Sequence, residues 1–149
     1  AEGHDGTSVS RTAESDSAAA RVARGPGVRE VLVRRQRAYA ATGGMVMEGR
    51  DIGTTVFPEA DVKIYLDASA EERASRRASD PAHGLGGADA ALSDVATALE
   101  ARDHSDRTRQ NSPLTMADDA VLVDTTGVPL DGVIRRVLEI VQTRLGALP

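Results

Sequence analysis

The chain has 149 residues and a mass of 15.6 kDa, with 40% apolar, 28% charged and 2% aromatic side chains and no cysteine. That size predicts one globular domain burying roughly 68–70% of its unfolded surface, with too much apolar content for wholesale disorder. Zero cysteines exclude a disulfide framework and thiolate metal sites, no apolar run approaches a membrane span, and a net charge of −5 argues against broad binding of nucleic acid or anionic membrane.

Residues 1–10 (AEGHDGTSVS) are small and polar and read as a flexible N-terminal segment. The first residue is not Met, so a processed or truncated product is expected. Residues 12–24 are alanine-rich and predict a helix that ends at Gly25-Pro26-Gly27. A second helix is predicted over 28–41, with Val28, Val31, Leu32, Arg35 and Tyr39 on one face and Gly43-Gly44 closing it. Met45-Val46-Met47 predicts a short strand, and residues 62–66 (VKIYL) predict another. Ser69-Ala70-Glu71-Glu72 has the spacing of a capping box and starts a helix to about Ala78. One proline and three glycines make 79–88 (SDPAHGLGGA) a mobile loop. A helix over 89–109 stops before Pro113, residues 120–123 form a buried strand, and 130–145 form an amphipathic closing helix.

Strands alternating with helices imply parallel α/β units, whose ligands sit beyond the carboxyl ends of the strands. The loops leaving the three predicted strands there are 48–53, 67–69 and 124–127. The first, Glu48-Gly49-Arg50-Asp51-Ile52-Gly53, has glycines that let backbone approach a ligand, with a guanidinium beside a carboxylate. The same residues also describe a tight turn with a surface ion pair. A second charged stretch is Arg102-Asp103-His104-Ser105-Asp106-Arg107-Thr108-Arg109. On a helix, Arg102, Asp106 and Arg109 share one face, while Asp103 and Arg107 make a separate pair four residues apart. A solvated face laced with weak ion pairs is the plain alternative.

Arginine dominates the basic residues. Lys63 is the single lysine, so 17 of the 18 basic side chains are guanidinium forks suited to phosphates and carboxylates, a bias that GC-rich codons also favour. His4, His83 and His104 lack partners at metal-ligand spacing, so no zinc site is expected.

Together, VREVLVRRQR (28–37), EGRDIGTTVFPEADVKIYLDAS (48–69), EERASRR (71–77), RDHSDRTR (102–109) and SPLTMADDAVLVDTT (112–126) resemble the bacterial cytidylate kinases. The likeness begins at Arg11-Thr12 and covers about residues 11–140. It implies an α/β fold: the parallel sheet with flanking helices of the P-loop nucleoside monophosphate kinases. Residues 11–149 would be the C-terminal part of one such domain, with a lid at about 79–101. By this resemblance Asp51 accepts from the cytosine 4-amino group, and Arg29 and Arg109 donate to the base's acceptor edge. Arg102 and Asp106 hold the sugar, while Arg50 and Arg11 contact the acceptor phosphate. Arg73, Arg76 and Arg77 resemble lid arginines that close over the donor phosphates, with Arg73 and Arg77 as the catalytic candidates. The family serine of the alanine-rich helix is replaced here by Ala20.

The implied reaction is transfer of a phosphoryl group from ATP, with Mg²⁺, to CMP or dCMP. The implied protein is a cytoplasmic monomer with small nucleotides as partners and neither nucleic acid nor membrane. No GxxxxGK[ST] motif occurs, because the one lysine lies between Val62 and Ile64. The family carries that loop upstream, on a strand between those that match Met45–Met47 and 62–66 here. The sequence therefore reads as the C-terminal two-thirds of a kinase, an incomplete sheet without its phosphate-loop strand, expected to be inactive alone. The alternatives are a non-catalytic CMP-binding module and an unstable fragment.

Overall fold

A computed structural model describes residues 18, 22, 25–41, 43–80, 92–108 and 113–146. In chain order these form α1 (Pro26–Ala40), a π-helical turn (Ile52–Val56), β1 (Ile64–Asp67), α2 (Ala70–Ser79), α3 (Leu92–Thr108), β2 (Val121–Asp124) and α4 (Leu130–Leu145). Of the predicted helix over 12–24 only residues 18 and 22 are described, both helical, and most of the 79–88 loop lies outside the described residues.

β1 and β2 pair in parallel, Ile64 opposite Val121 and Asp67 opposite Asp124, with α2 and α3 in the crossover between them. This is the parallel α/β unit that alternating strands and helices require. Its small core consists of Val56, Ala74, Val95, Val123 and Ile140. α2 and α3 pack together through faces that bury Ala74 and Val95. α2 begins where the capping spacing places it, the Ser69 hydroxyl accepting from Glu72 N at 3.1 Å. A turn follows β2, in which Val128 N donates to Thr125 O at 3.0 Å and Gly127 takes φ +67°, a conformation that costs a side chain-bearing residue energy.

Three expectations are corrected. α1 starts at Pro26, two residues before the predicted Val28, because a proline's fixed φ and missing N–H suit the first turn of a helix. Val28, Val31, Leu32 and Tyr39 do share a face, but all four are exposed. α1 instead meets the π-helical turn through Arg29 and Arg37. Met45–Met47 joins no sheet: residues 44–48 have no ladder, and Val46 is fully exposed. A strand exists through its hydrogen-bonded neighbour, and among the described residues none lies beside this segment. α4 likewise buries Ile140 while Leu130, Ile134 and Leu138, spaced four apart, remain exposed.

Lys63 fastens the start of the sheet. Its carbonyl accepts from Val121 N at 2.9 Å, and its ammonium, on a side chain only 8% exposed, donates to Asp119 Oδ1 and Oδ2 at 2.9 and 2.8 Å and to Pro58 O. The hydrogen bond from Lys63 holds the Asp119 carboxyl below its ordinary value. A carboxyl with a lowered native pKa stabilises the fold above its unfolded pKa, and that contribution disappears as pH falls through the native value. In Lys63→Met, NMR titration should therefore find Asp119 shifted upward, and the acid limb of unfolding below about pH 4 should flatten. An unmoved Asp119 would show that Lys63 is not the cause.

Candidate active site

The site is built around Asp51. This residue, 8% exposed, immediately precedes the π-helical turn and anchors it: Asp51 O accepts from Thr55 N at 2.9 Å and from Val56 N at 3.3 Å. Phe57 N closes the turn on Ile52 O at 2.7 Å. Single π-turns are rare and recur at functional positions. The turn's glycine lies close to the next segment: a Cβ on Gly53 would stand 3.3 Å from the Lys63 stem, a tight contact that the stem would have to relieve by a few tenths of an ångström. The turn is thereby seated against the residue that leads into β1.

Two ion pairs connect this segment to helices distant in sequence. Arg29 of α1 donates to Asp51 Oδ2, with side chains 13% and 10% exposed. Arg50 Nε lies 3.3 Å from Asp106 Oδ2 on α3. Leu114 N donates to Asp106 O at 2.8 Å, holding the chain that leads into β2 against the end of the same helix. Four residues assigned by resemblance, Arg29, Arg50, Asp51 and Asp106, are thus gathered where α1, the 48–53 loop and α3 meet. Arg102 stands one helical turn before Asp106 and is exposed. Arg11, Arg109 and Ala20 lie outside the described residues.

A second cluster occupies the carboxyl ends of the strands. Thr125, 4% exposed, donates from N and Oγ1 to Asp67 O, each at 2.8 Å. Thr126 Oγ1 donates to Asp124 Oδ1 at 2.6 Å and accepts from Ser69 N at 2.9 Å. The Thr126 hydroxyl, then its backbone N–H, holds the Asp124 carboxyl below its ordinary value. These bonds join the 67–69 and 124–127 loops.

Two arginines of α2 have partners here. Arg73 pairs with Asp103 on α3 and donates from Nε to Ala68 O at 3.1 Å. Asp103 therefore does not follow the expected pairing with Arg107 on its own helix, because the α2–α3 contact brings Arg73 against it. Arg76 donates to Thr125 Oγ1 at 2.9 Å, to Thr125 O at 2.6 Å and to Glu72 at 2.8 Å. Arg77 lies half-buried in the last turn of α2. Thr125 and the π-turn were not legible as site elements. The Thr-Thr-Gly run after a buried strand was the only signal for Thr125, and no residue pattern marks a π-turn.

Chemically, the Arg29–Asp51 contact sets a guanidinium donor beside a carboxylate acceptor in a partly desolvated place. Such a pair complements a heterocycle edge that presents an acceptor next to an amino group, and a carboxylate suits the cytosine N4 amino group.

The cytidylate kinase family model matches residues 1–143. The chain is 46% identical over 145 residues to a cytidylate kinase of Aeromonas salmonicida (strain A449), covering 97% of this chain and 62% of that protein. It is 44% identical over 144 residues to one of Vibrio parahaemolyticus (serotype O3:K6), covering 97% and 63%. It is 46% identical over 145 residues to one of Geobacillus sp. (strain WCH70), again covering 97% and 63%. The chain thus spans under two-thirds of the length of these relatives. On the extent of the match and the identity across it, the chain belongs to the cytidylate kinase family.

Proposed function

We propose that the protein containing this chain is a nucleoside monophosphate kinase that transfers the γ-phosphoryl group of ATP, with Mg²⁺, to CMP or dCMP. The observation that carries this is the half-buried Arg29–Asp51 pair, a donor and an acceptor placed side by side. Cytosine offers N4–H₂ to Asp51 and its ring acceptors to Arg29 and Arg109. Uracil offers a carbonyl at the same place, opposing two acceptors in a desolvated site, which binding energy rejects strongly.

The remaining roles follow from position. Asp106 and Arg102, one turn apart on α3, hold the sugar. Arg50, joined to Asp106, and Arg11 hold the acceptor phosphate. Transfer between phosphates needs alignment and charge neutralisation more than proton chemistry, so arginine is the suitable side chain. Arg77 and Arg73 serve the donor phosphates at the edge of a lid over about 79–101. Arg73 reaches them by exchanging the Asp103 carboxylate for a phosphate. Among the described residues no group of three or more potential metal ligands converges, and a kinase holds Mg²⁺ chiefly through the substrate phosphates and one or two carboxylates. We assign no step through the metal to this chain.

We further infer that a phosphate-loop strand outside this chain lies between residues 44–48 and β1. Support comes from the bare Val46 and from the second edge of β1, which has no ladder partner among the described residues. The alternative reading is a non-catalytic CMP-binding module that uses the same Arg29–Asp51 pair.

Steady-state assays of the intact protein with ATP distinguish these readings. Phosphate transfer to CMP and dCMP, with UMP and AMP poor acceptors, is the expected result. Comparable rates on all four would overturn the base assignment. CMP binding by calorimetry without transfer would favour the binding module.

A further inference from the structure

Arg37 of α1 has no part in the base, sugar or phosphate contacts above, yet its guanidinium is committed to the turn that carries Asp51. Nε donates to Val56 O and a terminal nitrogen donates to Thr55 O, both at 2.8 Å. Those are the carbonyls at the exit of the π-helical turn, where helical backbone lacks partners of its own. At the entrance of the same turn, Arg29 grips Asp51. The two arginines are eight residues apart, about 12 Å along α1. The turn is therefore held against α1 at both of its ends.

What lies between the two grips matters as much. Val33, Arg34 and Thr55 line a hollow of about 500 Å³ together with Pro26, Arg29, Glu30 and Arg37. Among the described residues, side chains leave this open space between α1 and the turn unfilled, so close packing there does not by itself fix their relative position. Polar contacts at the two ends do that work. One of those contacts, Arg29, is shared with the base in the proposed complex, which leaves Arg37 as the grip that persists when nucleotide binds. A guanidinium fork sets both distance and angle to two successive carbonyls, whereas an ammonium sets neither in the same way.

We infer that Arg37 is a positioning residue for pyrimidine discrimination: it fixes the exit of the π-turn and thereby the place of the Asp51 carboxylate. The inference rests on the proposed role of Asp51 at the cytosine amino group and deepens it.

The test compares kcat/KM for CMP and for UMP in the intact protein, in Arg37→Lys, Arg37→Met and Asp51→Asn. Because both acceptors are assayed on one preparation, their ratio is independent of the fraction that folds. The expected result for Arg37→Lys is a roughly tenfold fall in the CMP-over-UMP ratio, with a larger fall in Arg37→Met. The fall should come through a raised KM for CMP, with kcat at saturation and the KM for ATP retained. If Asp51→Asn lowers the ratio and neither Arg37 variant does, the inference is overturned and the Asp51 reading stands. A KM for ATP that rises in step with that for CMP also overturns it, since that marks a general loss of structure. If Asp51→Asn leaves the ratio untouched, the Asp51 reading fails and the role of Arg37 fails with it.

Discussion

Replacing Asp51 by asparagine should lower kcat/KM for CMP roughly a hundredfold and improve UMP relative to CMP. The size follows from the hydrogen bond lost: contacts to a charged group contribute about 1.5–3 kcal/mol, and 1.4 kcal/mol is a factor of ten. The direction follows from chemistry. A carboxylate only accepts, whereas a carboxamide turns an N–H toward the uracil carbonyl and no longer repels it. Asp51 is 8% exposed and ion-paired, so the variant also weakens the grip of Arg29 on the turn. Measuring CMP and UMP on one preparation separates the two effects, because lost fold lowers both rates together. An unchanged ratio would remove Asp51 from base recognition.

Arg73→Ala should destabilise the protein by about 1–3 kcal/mol, a range between that of exposed and fully buried ion pairs. The pair it breaks is intermediate in burial, with Arg73 32% and Asp103 15% exposed. The same guanidinium also donates to Ala68 O just beyond β1, so its loss loosens α2 from both the sheet and α3. Asp103→Ala should reproduce much of the stability loss while leaving any phosphate contact of Arg73 in place. In a double-mutant cycle, followed by denaturant midpoints, the combined loss should be smaller than the sum of the single losses. Strict additivity would show that the two side chains do not act as a pair. A fall in ATP-dependent rate in Arg73→Ala beyond that of Asp103→Ala would isolate its part at the donor phosphates.

The helices were legible because their signals are local. Ser69 with Glu72 marks the start of α2, and the period of apolar residues over 130–145 gives α4 its bounds. β1 was expected over 62–66 and runs Ile64–Asp67, a shift at both ends of the kind that partner register decides. Met45–Met47 failed as a strand for a reason no short window of sequence contains, since a ladder needs a second segment. In the site, Arg29, Asp51, Arg50 and Asp106 were named by motif, and their contacts follow from the meeting of α1, the loop and α3. Arg37 and Thr125 were missed because each acts through backbone carbonyls, and a carbonyl leaves no trace in residue identity. The pairing of Asp103 with Arg73 over Arg107 shows the limit of helical spacing: a contact from a neighbouring helix outcompetes one along the same helix.

The ammonium that bolts Pro58 to Asp119 belongs to the only lysine in the sequence, and its side chain is 8% exposed. Reagents and modifying enzymes that seek primary amines therefore meet no accessible side-chain target within this sequence. Acylating dyes, amine cross-linkers and enzymatic acetylation should leave position 63 untouched in the folded state and mark it only once the sheet has opened. Acylation of that single position thus offers a chemical clock for the opening of β1, read by mass spectrometry without altering a residue.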